Sequence, residues 1–328
     1  MHFKVKDTPK PGIKPTAGYF KKTDRVLIVG GTGFIGRHVA RRCLSDTPFV
    51  TCLGFSGKTH GETAEKEIEF IRADLVDRQK LHAVISKRRF DYVLNLGGYI
   101  DHASYFKGGR RVIAAHFEGL LNLIDCLDTE GLKAFVQIGS SDEYGNAPAP
   151  QKESMRESPI SSYSFAKTAA SHFMQTLSNT EGFPGVVLRF FLVYGPGQDD
   201  KRFLPQIIKA CLRNKEFKTS EGKQIRDFCY VDDVVSGIMK AAICPEARGR
   251  VINIASGIPV SVRSVVEKVM ELTGGGKPLW GSYPCRTGEN MNLFADICLS
   301  KKFLDWEPQT SLEEGLVKTI DYYRGIPD

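Results

Sequence analysis

No CxxC pair occurs among the eight cysteines, which stand singly at 43, 52, 126, 211, 229, 244, 285 and 298. Scattered thiols of this kind exclude a secreted disulfide framework and a cysteine-based metal knuckle, and fit a reduced compartment. No metal site is therefore expected. Apolar runs are short too, none approaching the roughly 20 residues of a membrane-spanning helix. The opening Met1-His-Phe-Lys-Val-Lys-Asp7 lacks the apolar core of a secretory signal. A cytoplasmic protein with no membrane partner is the expectation. A charge excess is also missing from most of the chain. Residues 1–23 carry six of the 45 basic residues against one of the 38 acids, leaving 39 basic against 37 acidic in the body. A body so balanced has no nucleic-acid footprint, and the Pro- and Lys-containing segment 1–23 reads as a flexible arm. Internal repeats and long low-complexity segments are absent as well.

What is present is a 328-residue chain with 41% apolar and 25% charged residues, the composition of a soluble globular protein of one large or two modest domains. Its organising stretch is Arg25-Val-Leu-Ile-Val-Gly-Gly-Thr-Gly-Phe-Ile-Gly36. An apolar strand, Val26 to Val29, runs into a turn carrying Gly30, Gly33 and Gly36, and helical spacing follows at Ile35, Val39 and Ala40. That order suits a phosphate cradle. One glycine permits the tight turn, the next admits a pyrophosphate, and the third lets helix pack on strand, with free N–H groups of the Phe34–Ile35 turn facing the anion. Further strands are expected at Phe49–Leu53, Glu67–Arg72, Asp91–Leu96, Ala134–Ile138 and Gly185–Phe191. Helices are expected at Arg37–Leu44, Arg78–Ser86, Arg111–Leu127 and Tyr163–Leu177. This alternation predicts an α/β fold with a doubly wound parallel sheet over about 24–193. Helices at Phe203–Arg213 and Val262–Thr273, among Gly- and Pro-rich loops, predict a smaller C-terminal α/β cap over 194–328. Part of it, about 228–258 with a strand at Arg250–Ile254, is expected to return to the main sheet.

Three features fall where ligands bind in such a sheet, outside the carboxyl ends of the strands. An acid should end the second strand of an NAD site, where it bonds the ribose 2′-hydroxyl. No Asp or Glu lies between Asp46 and Glu62, and Ser56 and Lys58, with Arg37, offer partners for a 2′-phosphate instead. NADP(H) is the expected cofactor. Tyr163 and Lys167 stand four apart on one helix face. A nearby ammonium stabilises phenolate, so Lys167 is expected to lower the Tyr163 pKa and fit the phenol for proton transfer at a carbinol oxygen. Third, the fifth strand ends in Gly139-Ser-Ser-Asp-Glu-Tyr-Gly145, whose hydroxyls can reach the same oxygen.

Together with Ala73-Asp74-Leu75, Arg189…Val193-Tyr-Gly-Pro196, Gln224-Ile-Arg-Asp-Phe228, Tyr230-Val-Asp-Asp-Val234, Arg286-Thr-Gly288 and Leu304-Asp-Trp-Glu-Pro308, these features resemble the extended short-chain dehydrogenase/reductase family. The resemblance is to its sugar-nucleotide epimerase, dehydratase and reductase branch, from about residue 24 to near the C-terminus. It implies a Rossmann domain, a cap that binds a nucleotide-diphosphate sugar, and a homodimer through the helices at 111–127 and 163–177. By position it assigns Ser140, Tyr163 and Lys167 to catalysis, Tyr163 being the acid/base and Lys167 holding the nicotinamide ribose. Gly30, Gly33, Phe34, Ile35, Gly36, Asp74 and Leu75 are assigned to the cofactor, with Asp74 on the adenine. Ser141, Arg226 and Arg286 fall to the substrate, the arginines on its diphosphate.

The branch turns on Asp142, a catalytic position where dehydratases of this family carry glutamate; Glu143 comes one place late. His116 and Leu192 both stand where the family usually has asparagine. The 201–228 stretch and the Gly139–Gly145 turn are similar to those of 4-keto-sugar-nucleotide reductases. The resemblance therefore implies an NADPH-dependent 4-keto reductase. An epimerase or 4,6-dehydratase with tightly held cofactor is the first alternative, and a non-catalytic cofactor-binding protein the second.

Overall fold

Alternate side chains of β1 (Val26–Val29) go to opposite sides of the sheet. Val26 and Ile28 join one apolar core, Leu27 and Val29 another. A strand's period of two produces this, and an all-apolar strand is what burial on both faces requires. The computed structural model describes residues 18–55, 68–284 and 289–326. After β1 come α1 (Phe34–Leu44), β2 (Val50–Gly54), β3 (Glu69–Arg72), α2 (Arg78–Ile85) and β4 (Tyr92–Asn95). Then follow α3 (Gly109–Ile113), α4 (Gly119–Cys126), β5 (Ala134–Ser140), α5 (Ser162–Glu181) and β6 (Gly185–Phe190). The chain continues through β7 (Leu192–Tyr194), α6 (Phe203–Leu212), β8 (Glu216–Lys218), β9 (Ile225–Tyr230), α7 (Val231–Ile243) and β10 (Val251–Ile254). It ends with β11 (Pro259–Ser261), α8 (Val262–Thr273), β12 (Lys277–Leu279), β13 (Asn292–Leu293), α9 (Cys298–Leu304) and α10 (Leu312–Arg324).

Seven strands form the main sheet in the order β10-β6-β5-β4-β1-β2-β3, every neighbouring pair parallel. Helices α1 and α7 contribute to the core on one face; α2, α4 and α5 contribute to the core on the other. This is the doubly wound α/β fold. The strand order reverses between β1 and β4, and at such a switch point the carboxyl ends of the strands leave a crevice for ligands. Beside this layer β9 pairs with β7, β11 and β13, and β8 pairs with β12. None of the described helices is long and apolar enough to cross a membrane.

Three expectations need correction. The return to the main sheet is made by α7 and β10, whereas β9, expected to belong to it from residue 228, sits in the smaller sheet. The expected single helix at Arg111–Leu127 begins at Gly109 and opens into a π-turn at Ala114–Glu118. Within segment 1–23, residues 18–22 are not a free arm. The amides of Tyr19 and Phe20 donate to the Asp46 carboxylate, and Phe20 is buried with its ring 4.5 Å from that of Tyr92. Residues 1–17 lie outside the described residues.

Candidate active site

Backbone geometry in the glycine turn follows from the three glycines. Gly30 has φ of +76°, which a side chain would strain, and a Cβ there would lie 2.9 Å from the Gly97 Cα at the end of β4. A Cβ on Gly36 would strike the Gly30 carbonyl and come within 2.8 Å of the Gly31 Cα, so α1 packs on the turn only without one. Gly33 is exposed, and a Cβ there would meet only the Gly30 oxygen, 3.1 Å away. It is the N-cap of α1, makes no side-chain cap, and no acid occupies the first turn. The N–H groups around Phe34 and Ile35 therefore face outward without a side-chain anion to satisfy them, which fits a dinucleotide's pyrophosphate.

The residues around this turn have mixed fates. Asp74 is exposed beyond β3, its carboxylate accepting from the Val76 amide at 3.0 Å. The Leu75 carbonyl beside it is tied to α4 by Asn122 at 2.9 Å. Second-strand β2 ends in Gly54 with no acid at its tip. Arg37 does not point to a 2′-phosphate, because its guanidinium donates to the Gly197 carbonyl. Ser56, Lys58 and Arg286 lie outside the described residues.

Ser140 closes β5 and caps the short 3₁₀ turn Ser141–Tyr144. Its hydroxyl oxygen accepts from the Asp142 amide at 3.2 Å, while the Glu143 carboxylate accepts from the Ser140 amide at 2.8 Å. This capping box fixes the serine oxygen, and the Ser140 hydroxyl is also hydrogen-bonded with the Tyr163 phenol. Tyr163 comes from the first turn of α5, which Ser161 caps, and is buried. Lys167 lies one turn on, fully enclosed, donating to the Ile138 carbonyl at 2.8 Å and set 5.9 Å from the Tyr163 ring centre. Ser140, Tyr163 and Lys167 thus meet at the carboxyl end of β5, while Ser141 is buried beside them.

The expected lowering of the phenol by Lys167 does not occur here. Burial pushes the Tyr163 pKa up, Asp142 adds to the rise, and the Ser140 hydroxyl opposes it. Lys167 spends its ammonium on a carbonyl, and burial drives its own pKa down to about 8 against the pull of Glu143. The unfolded chain holds that proton up to its reference value of 10.5, so between these values the folded state binds fewer protons. Lys167 therefore destabilises the fold below about pH 8, and the cost disappears as pH rises towards 10.5. Wild type is therefore expected to gain stability relative to Lys167→Met, by on the order of 3 kcal/mol, as pH rises from neutral to about 10.5. Melting curves of both proteins at the two pH values check this; a difference in melting temperature between the two proteins that does not change with pH refutes it.

His116 sits on the π-turn with its ring edge-on to Tyr163 at 5.1 Å and to 2.8 Å of the Tyr99 carbonyl through Nε2. A carbonyl only accepts, so Nε2 carries the proton. Burial, reinforced by Lys167, drives its pKa down to about 3, which keeps the ring neutral. A Cβ on Gly98, whose φ is +123°, would collide with this ring. Leu192, at the other asparagine position, is 40% exposed.

Sequence reasoning missed His102 and the network behind Ser140. His102 stands after β4 with its ring 5.6 Å from Tyr163, and its Nε2 is 3.7 Å from Asp142 Oδ2. Nothing in the run Gly97-Gly-Tyr-Ile-Asp-His102 marks it, since the pairing spans 40 positions. Under the turn, Glu143 and Arg189 are both wholly buried and paired at 2.8 Å, with Glu157 and Ser171 completing the set. On the cap side, Arg226 is mostly buried on β9, donates to the Ile225 and Asn290 carbonyls, and pairs with Glu289 at 2.5 Å.

Comparison with known proteins follows the same geometry. The model of the NAD dependent epimerase/dehydratase family matches residues 26–255. The uncharacterized UDP-glucose epimerase YtcB of Bacillus subtilis is 29% identical over 315 residues, covering 92% of this chain and 98% of its own. UDP-glucose 4-epimerase of Thermotoga maritima, solved with UDP-glucose, is 27% identical with a TM-score of 0.83, covering 92% of this chain and 98% of that one. MoeE5 in complex with UDP-glucose and NAD is 28% identical with a TM-score of 0.79, at the same coverage.

Proposed function

Because the chain belongs to the NAD-dependent epimerase/dehydratase family, we propose that it is an oxidoreductase acting at C4 of a nucleotide-diphosphate sugar. The favoured direction is reduction of a 4-keto sugar. The observation that carries this reading is the meeting of Ser140, Tyr163 and Lys167 beside a glycine turn whose outward N–H groups suit a pyrophosphate. A bound nicotinamide supplies the hydride. Tyr163, held protonated by burial, gives its proton to the carbonyl oxygen, and the Ser140 hydroxyl, oriented by the Asp142 amide, donates to the same atom. Lys167 offers its ammonium to the nicotinamide ribose, and Arg226, with Arg286, holds the diphosphate in exchange for Glu289.

The acid-free end of β2 favours NADP(H) over NAD(H). A homodimer through α3, α4 and α5 belongs to the same reading, and Phe165 stands 50% exposed on α5. Epimerisation with retained cofactor is the second reading, favoured by the epimerase names among the relatives. The two part on a simple assay. Stoichiometric loss of NADPH absorbance on adding a nucleotide-linked 4-keto-6-deoxy sugar is the expected result, with NADPH used at least about tenfold more efficiently than NADH. Conversion of UDP-glucose without added cofactor would replace reduction by epimerisation, and no turnover of either would remove the proposal.

A further inference from the structure

The turn that carries Ser140 is braced from the smaller sheet. Gly145 ends that turn with φ of +54°, and the Asn290 Nδ2 donates to its carbonyl at 2.8 Å and to that of Ala147 at 3.2 Å. The Asn290 side-chain oxygen accepts from the Asn292 amide at 2.9 Å. Carbonyls only accept and a backbone N–H only donates, so the side-chain amide has one orientation here. The backbone of the same residue reaches the cap arginine, its carbonyl accepting from Arg226 Nη1 at 2.9 Å, while Arg226 Nη2 pairs with Glu289. The register of β13 on β9, with Leu293 opposite Arg226, places Asn290 at this junction. Beside it the buried Gln151 repeats the connection, donating to the Ala147 carbonyl at 3.0 Å and the Asn292 carbonyl at 2.9 Å.

We propose that Asn290 is a positioning residue, which couples the seating of a nucleotide diphosphate at Arg226 to the ordering of the Ser140–Gly145 turn. The ligand class rests on the functional reading above. An unbroken run of hydrogen bonds joins the two places. Arg226 donates to the Asn290 carbonyl, and the Asn290 side chain donates to the Gly145 carbonyl. The Gly145 amide donates to the Asp142 carbonyl at 3.2 Å, and the Asp142 amide donates to the Ser140 hydroxyl oxygen at 3.2 Å. A phosphate oxygen arriving at Arg226 takes the place of Glu289, the chain neighbour of Asn290, and leaves Nη1 on the Asn290 carbonyl. Guanidinium held by phosphate then fixes that carbonyl, and with it the side chain that grips Gly145. Binding energy from the diphosphate is in this way used to hold the serine where the sugar reacts. Asn290 touches no reacting atom, but displacing a positioned group by about 1 Å can cost on the order of 100-fold in rate.

The test reads backbone amide hydrogen exchange over residues 140–147 of the full chain, with and without saturating UDP. UDP is expected to slow that exchange about tenfold in wild type. Asn290→Leu keeps the bulk of the side chain without its donor. It is expected to bind UDP within about threefold of wild type and to lose the protection. Asn290→Asp has the same shape but turns an acceptor towards both carbonyls, and it should lose the protection as well. In the reductase assay kcat of Asn290→Leu should fall about tenfold while KM changes less than about threefold, a split that a general loss of stability would not produce. Equal protection in wild type and Asn290→Leu, or no protection in wild type despite bound UDP, overturns the inference. Loss of UDP binding in a folded Asn290→Leu also overturns it, because Asn290 would then only build the diphosphate site. Wild type that binds none of UDP, dTDP and GDP would instead remove the functional reading on which the ligand class depends.

Discussion

Tyr163→Phe is expected to lower kcat for the proposed 4-keto-sugar reduction by roughly 100- to 10,000-fold, the usual range for a lost general acid. The change removes one oxygen and keeps the ring. That ring packs edge-on against both His116, at 5.1 Å, and His102, at 5.6 Å, so the local fold should survive. Burial holds the phenol protonated, which is the state a proton donor needs at neutral pH. With phenylalanine the carbonyl oxygen keeps the Ser140 hydroxyl as a donor but receives no proton as its charge develops. The loss should therefore appear in kcat and kcat/KM alike, with KM nearly unchanged, because the missing interaction belongs to the transition state. Steady-state rates on wild type and variant, with melting curves as a folding check, decide it. A folded variant retaining more than about a tenth of the wild-type rate would take the proton-donor role away from Tyr163.

The sheet was legible because its strands are apolar and its helices amphipathic, and the two periods differ enough to separate them. Gly30, Gly33 and Gly36 were legible for a similar reason. Their backbone duties follow from having no Cβ, and those duties depend on residues only a few places away. Helix spacing likewise put Tyr163 and Lys167 on one face. What sequence could not supply is which groups from different strands share a low-dielectric space. Lys167 was expected to act on the phenol, yet the Ile138 carbonyl, 29 residues upstream, takes its ammonium. His102 reaches Asp142 across the gap between β4 and β5, where neither periodicity nor motif reports. The π-turn at Ala114–Glu118 was invisible too, since one widened turn barely disturbs a helical pattern. Glu143 shows the opposite error. Spacing marked it as a misplaced acid, whereas the fold uses it inside the molecule.

Glu143→Gln is expected to cost about 3–5 kcal/mol of unfolding free energy, the largest structural effect of any single change proposed for this chain. The carboxylate is wholly buried and serves three donors at 2.8 Å: the Ser140 amide, the Ser171 hydroxyl and the Arg189 Nε. Arg189 is equally buried, lies 4.7 Å over the Tyr144 ring, and among the described residues pairs otherwise with Glu157. Glutamine keeps the shape but brings an amide N–H group towards one of these donors and leaves the guanidinium half-compensated in a dry interior. There is no room to relax. A Cβ on Gly139 would already lie 2.6 Å from Glu143 Oε1 and 3.0 Å from the Arg189 Cγ. Since Glu143 also closes the capping box on Ser140, the variant should lose catalytic rate along with stability. Denaturant unfolding measures the first effect. Pairing the change with Arg189→Met tests its cause, because removing the stranded charge should recover part of the loss. A Glu143→Gln cost below about 1 kcal/mol, or a double variant no better than the single one, would mean that water or Glu157 already neutralises Arg189. The buried pair would then not be what holds the serine turn in place.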